Sequence, residues 1–272
     1  MNTDILLVKR EGPIAILTLN RPEKLNAFNP DLLRALNDAL DDVEKDSSVR
    51  VLVITGTGEK AFAAGADVAQ LSSLDTIDAF EQMVLGQRVF LRIHEFPKPS
   101  IAMVNGYALG GGFELALACD MIVASERATF GFPEINLNTM PGWGGTQLAP
   151  KKMSLNRAKE MVLTGRHYPA RTCWDFGFIN RLVRPEELYS ATMELAGAVA
   201  AKPPFSLRMA KDTLNRGIHL DLATGMHLEA QAYAVNFSGP HAKAGFDAFL
   251  DRRKRAEQAQ RTSASARGPE KP

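Results

Sequence analysis

The stretch VNGYALGGGFELALACD, from Val104 to Asp120, sets three consecutive glycines before an apolar segment that carries one carboxylate, Glu114. An apolar run comes before the glycines, and an Ala/Leu-rich stretch follows them. This order is consistent with three structures: a phosphate-binding loop, a tight structural turn, or a helix start whose free N–H groups face a substrate.

The spacing of the glycines disfavours a phosphate-binding loop. A dinucleotide-binding turn needs G-x-G-x-x-G after a strand, but the sixth residue counted from Gly110 is Leu115. The same test fails for GWGGTQ, from Gly142 to Gln147, and G-x-x-x-x-G-K-[ST] occurs nowhere in the sequence. A structural turn and a substrate-facing helix start both remain open, because glycine serves either a positive φ or a close approach to the backbone.

Two further segments favour the substrate-facing helix start. AFAAGADVAQ, from Ala61 to Gln70, is a second glycine-containing turn after an apolar run, and it can present another N–H group to the same oxygen. FGFPEINLNTMPGWGGTQ, from Phe130 to Gln147, adds a second carboxylate, Glu134. Two carboxylates that face one water or carbon can divide the acid and base roles if their surroundings separate their pKa values.

These segments, taken in order, carry a family resemblance. AFAAGAD, NGYALGGGFELALACD, FGFPEI and PGWGGTQ, with LTLNRPEKLNAF ahead of them, resemble the crotonase (enoyl-CoA hydratase/isomerase) superfamily over roughly Ile14 to Lys254. The resemblance implies an α/β fold, a crotonase-like spiral of β-β-α units with a helical C-terminal trimerisation region. It also implies a homotrimer or homohexamer (a dimer of trimers) and an acyl-CoA thioester substrate. No metal or other cofactor is implied, since coenzyme A is part of the substrate.

The resemblance also implies roles for individual positions. The backbone N–H groups of Ala66 and Gly111 would form the oxyanion hole for the thioester oxygen, and Glu114 and Glu134 would match the two catalytic glutamates of hydratases. Gly142 would lie beside the catalytic water. The positions that would line the substrate are Ala64, Asp67, Val68, Gly142 and Trp143. The expected reaction is reversible addition of water across the C2–C3 double bond of a 2-enoyl-CoA.

One of these positions departs from the family pattern. Trp143 stands where a smaller residue is common in the PGxGGTQ segment. Two hypotheses follow: the indole narrows or redirects the acyl pocket, or it packs in the core.

Two other functions are alternatives within the resemblance. A double-bond isomerase is the first, but isomerases of the family generally keep the carboxylate at Glu134 and lose the one at Glu114, so the presence of both favours a hydratase. The second is an RNA-binding or scaffold member. The formal net charge of +1 gives no electrostatic basis for nucleic acid as the main partner.

Composition limits the remaining possibilities. The chain has 272 residues, of which 45% are hydrophobic, and its two cysteines, Cys119 and Cys173, are far apart and in no metal-ligand spacing. The five histidines also show no metal-binding spacing. No stretch approaches the roughly 18 apolar residues that a membrane span needs. We expect a cytoplasmic protein without a membrane or metal partner.

The order of elements predicts two regions and a tail. Short β-branched runs predict strands, which are Ile14–Leu19, Val51–Thr55, Ser100–Val104 and Met121–Ala124. They alternate with helical patterns, the first capped by Asn29, and this alternation argues for an α/β core. We assign residues 1–200 to the core with the active site, residues 201–255 to a helical oligomerisation region, and residues 256–272 to a disordered tail.

Overall fold

The polypeptide divides into two compact units, Met1–Pro204 and Phe205–Pro272. A computed structural model describes residues 5–266, apart from the side chains of residues 240, 241 and 256–266. The division after Pro204 lies close to the boundary expected between residues 200 and 201.

A six-stranded sheet forms the centre of the first unit. Its strands are β1 (Leu6–Glu11), β2 (Ile14–Leu19), β3 (Val51–Gly56), β5 (Ser100–Val104), β7 (Met121–Ser125) and β10 (Arg181–Val183). They lie in the order β1-β2-β3-β5-β7-β10, with β1 antiparallel to β2 and the other pairs parallel. The four strands predicted from the sequence are confirmed, with β3 and β7 one residue longer than expected.

Alternating side chains of β3 show why its run is apolar throughout. Leu52 and Ile54 join the larger core cluster on one face of the sheet, whereas Val51 and Val53 join a second cluster on the other face. Successive side chains of a strand point to opposite faces, so a central strand covered on both sides has no polar face.

A smaller four-stranded sheet repeats the pattern of the first. Its strands are β4 (Ala61–Ala63), β6 (Tyr107–Leu109), β8 (Thr129–Gly131) and β9 (His167–Pro169), in the order β4-β6-β8-β9. β4, β6 and β8 are parallel and follow β3, β5 and β7 along the chain. Each pair of strands is followed by helical structure. This repeat is the spiral of β-β-α units that the resemblance implied.

Eight helices and three short 3₁₀ turns complete the first unit as described. The helices are α1 (Pro30–Lys45), α2 (Val68–Leu71), α3 (Thr76–His94), α4 (Gly111–Ala118), α5 (Gly145–Lys152), α6 (Leu155–Thr164), α7 (Ala170–Asp175) and α8 (Leu188–Ala200). The 3₁₀ turns are Pro22–Lys24, Pro133–Leu137 and Pro185–Glu187. Asn29 caps α1 as predicted, because its Oδ1 accepts from the N–H of Leu32 at 2.9 Å.

Three helices account for the second unit and the residue before it: α9 (Pro204–Gly217), α10 (Leu222–Ser238) and α11 (Pro240–Ala266). The prediction of a disordered tail from residue 256 needs correction, since α11 continues to Ala266. The segment is polar and rich in small residues, but Ala, Gln and Arg are strong helix formers, and this favours continuation of the helix. Residues 267–272 of that tail lie outside the described residues.

No helix in the described part of the chain has both the length and the apolar character that a membrane span requires.

Candidate active site

The site lies where three parallel strands of the smaller sheet end. β4, β6 and β8 run in the same direction, so their carboxyl ends lie along one edge. The segment after β4 holds Ala64, Ala66 and Asp67, the segment after β6 leads into Gly111 and Glu114, and the segment after β8 leads into Glu134. The fold therefore brings together three motifs that are far apart in sequence.

The two glycine-containing turns are in direct backbone contact. Gly65 has a φ of +91° and Gly110 a φ of +51°, both in the region that favours glycine. A Cβ placed on Gly65 would lie 3.3 Å from the carbonyl oxygen of Leu109 and 3.7 Å from the nitrogen of Gly111. A side chain at Gly65 would therefore disturb both the conformation of its own turn and the approach of the second one.

Each turn carries an amide that is free to bind a ligand. Gly111 opens α4, so its N–H has no acceptor within the helix. The carbonyl oxygen of Gly65 accepts from the N–H of Phe28, and the N–H of Asp67 donates to the oxygen of Phe28, which leaves Ala66 between two bonded neighbours. Within residues 5–266, neither the Ala66 nor the Gly111 N–H donates to a protein oxygen.

Glu114 is a buried carboxylate held by two backbone amides. Its side chain projects from the first turn of α4, and the residue is 2% exposed. Its Oε1 accepts from the N–H of Trp143 at 2.8 Å and from the N–H of Gly145 at 2.7 Å. Burial raises the pKa of Glu114 to about 7, and the charge of Glu134 adds to the rise, while the two amide bonds oppose it.

Glu134 has a different environment from Glu114. It lies in the 3₁₀ turn Pro133–Leu137, and its Oε1 would be only 2.7 Å from a Cβ placed on Gly110. Its Oε2 is buried without a hydrogen-bond partner in the described part of the chain. Burial raises the pKa of Glu134 to about 7 as well. The backbone amide of Glu134 itself opposes this rise, but no amide donates to Oε2 in the described part of the chain.

Trp143 packs in the core, in line with the second of the two hypotheses for it. The residue is 3% exposed, and its ring makes edge contacts with Phe28 and Phe90 at centroid distances of 5.7 and 5.4 Å. A Cβ on Gly86 or on Gly111 would lie within 2.4 Å of the ring, so the indole rests directly on both glycines. The core packing of Trp143 therefore extends to the backbone of the candidate oxyanion hole.

The other predicted substrate positions are placed as follows. The carboxylate of Asp67 is already bound within the protein, because it forms an ion pair with Arg21 at 3.2 Å. The N–H of Ala64 donates to the oxygen of Leu25, and the oxygen of Gly142 accepts from Gln87 Nε2. Val68 begins α2 with half of its surface exposed. Of these, Val68 offers the most side-chain surface to a ligand.

Sequence reasoning did not identify two contributors to the site. Gly145 binds Glu114 through its N–H, and Arg21 binds Asp67. Arg21 lies in the LNRPEKLNAF segment that supported the resemblance, but nothing in that segment indicates which residue it pairs with. Gly145 lies in the PGWGGTQ segment, where the backbone donor cannot be read from residue type.

No metal site is indicated: the described residues contain no group of three or more His, Cys, Asp or Glu arranged to hold an ion. Cys119 and Cys173 are both buried, and neither forms a disulfide.

Known proteins resemble the chain along nearly its whole length. The family model described as enoyl-CoA hydratase/isomerase matches residues 9–259. A short-chain-enoyl-CoA hydratase of Clostridium acetobutylicum is 37% identical, with 93% of this chain and 97% of that protein covered. A crotonyl-CoA hydratase of Syntrophomonas wolfei is 40% identical, with coverages of 92% and 96%. The crystal structure of an enoyl-CoA hydratase from Bacillus anthracis superposes with a TM-score of 0.88 at 33% identity, covering 91% of this chain and 96% of that one.

Proposed function

The chain belongs to the enoyl-CoA hydratase/isomerase family, and we propose that it is an enoyl-CoA hydratase in which Glu114 and Glu134 divide the proton transfers. Its reaction is the reversible addition of water across the C2–C3 double bond of a 2-enoyl-CoA. The observation that carries this mechanism is the pair of buried carboxyls beside two free backbone amides.

The two amides stabilise the charge that the reaction creates. Attack of water on C3 moves the electrons of the double bond toward the thioester, and an enolate forms with negative charge on the thioester oxygen. The N–H groups of Ala66 and Gly111 donate to that oxygen, and the positive end of the α4 dipole acts in the same direction. Removing one such donor typically costs about 100- to 1,000-fold in rate.

The two carboxyls act in opposite senses. Glu114 accepts two backbone hydrogen bonds, which favour its anionic form, so it serves as the base that takes a proton from the attacking water. The hydroxide equivalent bonds to C3. Glu134 then donates its proton to C2 as the enolate collapses, and the proton on Glu114 returns to Glu134 through solvent. The net change is the addition of one water.

The most direct test is a panel of thioesters. Hydration of 2-enoyl-CoAs is followed by the loss of absorbance of the conjugated double bond, beginning with crotonyl-CoA because relatives are named as short-chain-enoyl-CoA and crotonyl-CoA hydratases. A 3-enoyl-CoA tests the isomerase alternative, since migration of its double bond into conjugation raises the same absorbance. Rapid hydration with slow isomerisation supports the proposal, and the reverse order of rates contradicts it.

The assembly and surroundings of the enzyme are also proposals. We infer a homotrimer or a homohexamer (a dimer of trimers), because α9 and α10 contain no buried residue and carry many large apolar side chains. The substrate is the only partner proposed besides other copies of the chain, and catalysis requires no cofactor beyond the coenzyme A of the substrate. Two cysteines that form no disulfide support a cytoplasmic location.

A further inference from the structure

The segment Arg21–Phe28 lies along the turn that carries Ala66 and holds it at several points. Asn26 Nδ2 donates to the oxygen of Ala61 at 2.9 Å, and the N–H of Ala64 donates to the oxygen of Leu25 at 3.0 Å. Phe28 bonds on both sides of Ala66, through its N–H to Gly65 and its oxygen to Asp67, each at 2.8 Å. The backbone around Ala66 is thus fixed by one neighbouring segment, while the amide of Ala66 stays free.

Arg21 adds a side-chain connection to these backbone bonds. Its Nη2 lies 3.2 Å from Asp67 Oδ2, and its Nη1 donates to the oxygen of Ala27. The two side chains of the ion pair are only 13% and 17% exposed, so solvent screens the pair weakly. Asp67 directly follows Ala66, and Arg21 therefore acts one residue away from the candidate oxyanion donor.

The segment itself is held in an unusual conformation. Leu25 and Asn26 both have positive φ values, +51° and +58°, which a leucine rarely adopts. Asn26 is fully buried, and its side chain accepts from the N–H of Arg21 and donates to the oxygens of Thr57 and Ala61. These bonds fix Arg21 as well as the turn, so the ion pair joins two segments that are already rigid.

We propose that Arg21 and Asp67 are positioning residues for the oxyanion hole: their ion pair fixes the direction of the Ala66 N–H toward the thioester oxygen. This role replaces the direct substrate contact expected for Asp67, and it rests on the proposed function. The effect on catalysis follows from geometry, since a displacement of about 1 Å at a reacting group can cost about 100-fold in rate. Binding of the nucleotide part of the substrate does not depend on that direction.

The first experiment is a double-mutant cycle with Asp67→Asn and Arg21→Met. We expect each single variant to lower kcat for crotonyl-CoA by at least about tenfold, with KM changed less than about threefold. Because both act through one interaction, the double variant should lose no more than the worse single variant. The double variant leaves no unpaired buried charge, so we expect it to stay folded even if a single variant does not; its thermal midpoint checks this, since Arg21→Met also removes the bond to the oxygen of Ala27.

A matched control removes a carboxylate from an ion pair elsewhere. Asp41 pairs with Arg92 on α1 and α3, away from the Ala66 turn. Asp41→Asn is expected to leave kcat and KM unchanged. If Asp41→Asn lowers the thermal midpoint as much as the Asp67 variants do but keeps its kcat, the loss of kcat in the Asp67 variants does not come from lower stability.

A spectroscopic readout separates positioning from a general structural role. Butyryl-CoA with a ¹³C-labelled thioester carbonyl does not react, and hydrogen bonds to that carbonyl lower its stretching frequency. We expect a smaller lowering in Asp67→Asn and in the double variant than in the wild type and Asp41→Asn. Unchanged frequency and kcat in a folded double variant, or losses that simply multiply, would overturn the inference. If the wild-type enzyme does not hydrate any 2-enoyl-CoA, the proposed function fails instead.

Discussion

At the scale of single residues, the proposed mechanism depends on two carboxyl groups of the same type that have different hydrogen-bond donors around them. Burial raises the pKa values of both Glu114 and Glu134 to about 7. Two amides stabilise the anion at Glu114, whereas Oε2 of Glu134 has no donor within residues 5–266. This difference in backbone donors supports the proposed roles of Glu114 as the base and Glu134 as the acid.

Replacing either carboxyl should remove hydration without unfolding the protein. We expect Glu114→Gln and Glu134→Gln each to lower kcat by about 100-fold or more, because general acid–base catalysis contributes about 100- to 10,000-fold. Turnover of crotonyl-CoA is the measurement, with circular dichroism as the check on folding. Near-wild-type turnover in either folded variant would exclude the mechanism with two carboxyls.

Above neutral pH, Glu134→Gln should lower kcat but raise the free energy of unfolding. The pKa of Glu134 is about 7 in the folded protein, above the ordinary value of 4.5, so the folded state binds the proton more tightly than the unfolded state. The free energy of unfolding therefore falls as pH rises from about 4.5 to 7, by at most about 3 kcal/mol, and stays lower above pH 7. Below pH 4.5 both states are protonated and the carboxyl has no effect.

Glutamine does not titrate, so it removes this pH-dependent penalty. We expect the thermal midpoint of Glu134→Gln relative to the wild type to be higher at pH 8 than at pH 4.5 by a few degrees. Glu59→Gln, at an exposed carboxyl, is the control and should show no such difference between the two pH values. If the thermal midpoints of Glu134→Gln and the wild type differ by the same amount at both pH values, the pKa of Glu134 is not raised in the folded protein.

At the scale of elements, the sequence predicted four of the ten strands in the described residues and the order of the motifs, but not the contacts between motifs. Ile14–Leu19 and Ser100–Val104 were predicted to the residue, because runs of β-branched apolar residues report burial directly. The pairing of Arg21 with Asp67 links residues 46 positions apart and depends on the path of the chain. The helical continuation beyond residue 256 was missed because low hydrophobicity was read as disorder.

Trp143 illustrates the same limit. A tryptophan at this position could either line the acyl pocket or pack in the core. Its packing depends on where α3 places Gly86 and where α4 places Gly111, which the residue type does not indicate. The indole fills the space that both glycines leave. A consequence is that Gly111 cannot gain a side chain without moving the ring, so the first obstacle to any substitution at Gly111 is Trp143 rather than the thioester itself.

The contact between Gly111 at the start of α4 and Trp143 before α5 can be tested by substituting both residues. A Cβ on Gly111 would lie 2.4 Å from Trp143 Cζ3. Moving the ring would pull the backbone N–H of Trp143 away from Oε1 of Glu114. We expect Gly111→Ala to lower kcat at least about 100-fold while free CoA still binds. In a Trp143→Leu background, the same substitution should cost less than about tenfold. An equal loss in both backgrounds would show that Trp143 is not the cause.

At the scale of the whole molecule, the described side chains of the second unit form little core of their own. No residue of α9 or α10 is buried, and its large apolar side chains are half or more exposed at Leu214, Leu222, Met226, Tyr233 and Phe237. Tyr233 and Phe246 both pack against Phe237, which nevertheless remains 54% exposed. Exposed apolar surface of this extent marks a protein–protein interface more often than a solvated face.

Sedimentation velocity at micromolar concentration should therefore show a trimer or a hexamer. Met226 makes none of the ring contacts within the unit and is 62% exposed, so Met226→Asp changes the exposed apolar surface without disturbing those contacts. We expect this variant to shift toward monomer while circular dichroism shows that its helical content is retained. A charge buried at an apolar interface without a partner is costly, and this cost is the physical reason for the shift. A wild-type protein that sediments as a stable monomer at micromolar concentration would contradict the assembly, and an oligomer unaffected by Met226→Asp would place the interface on another surface.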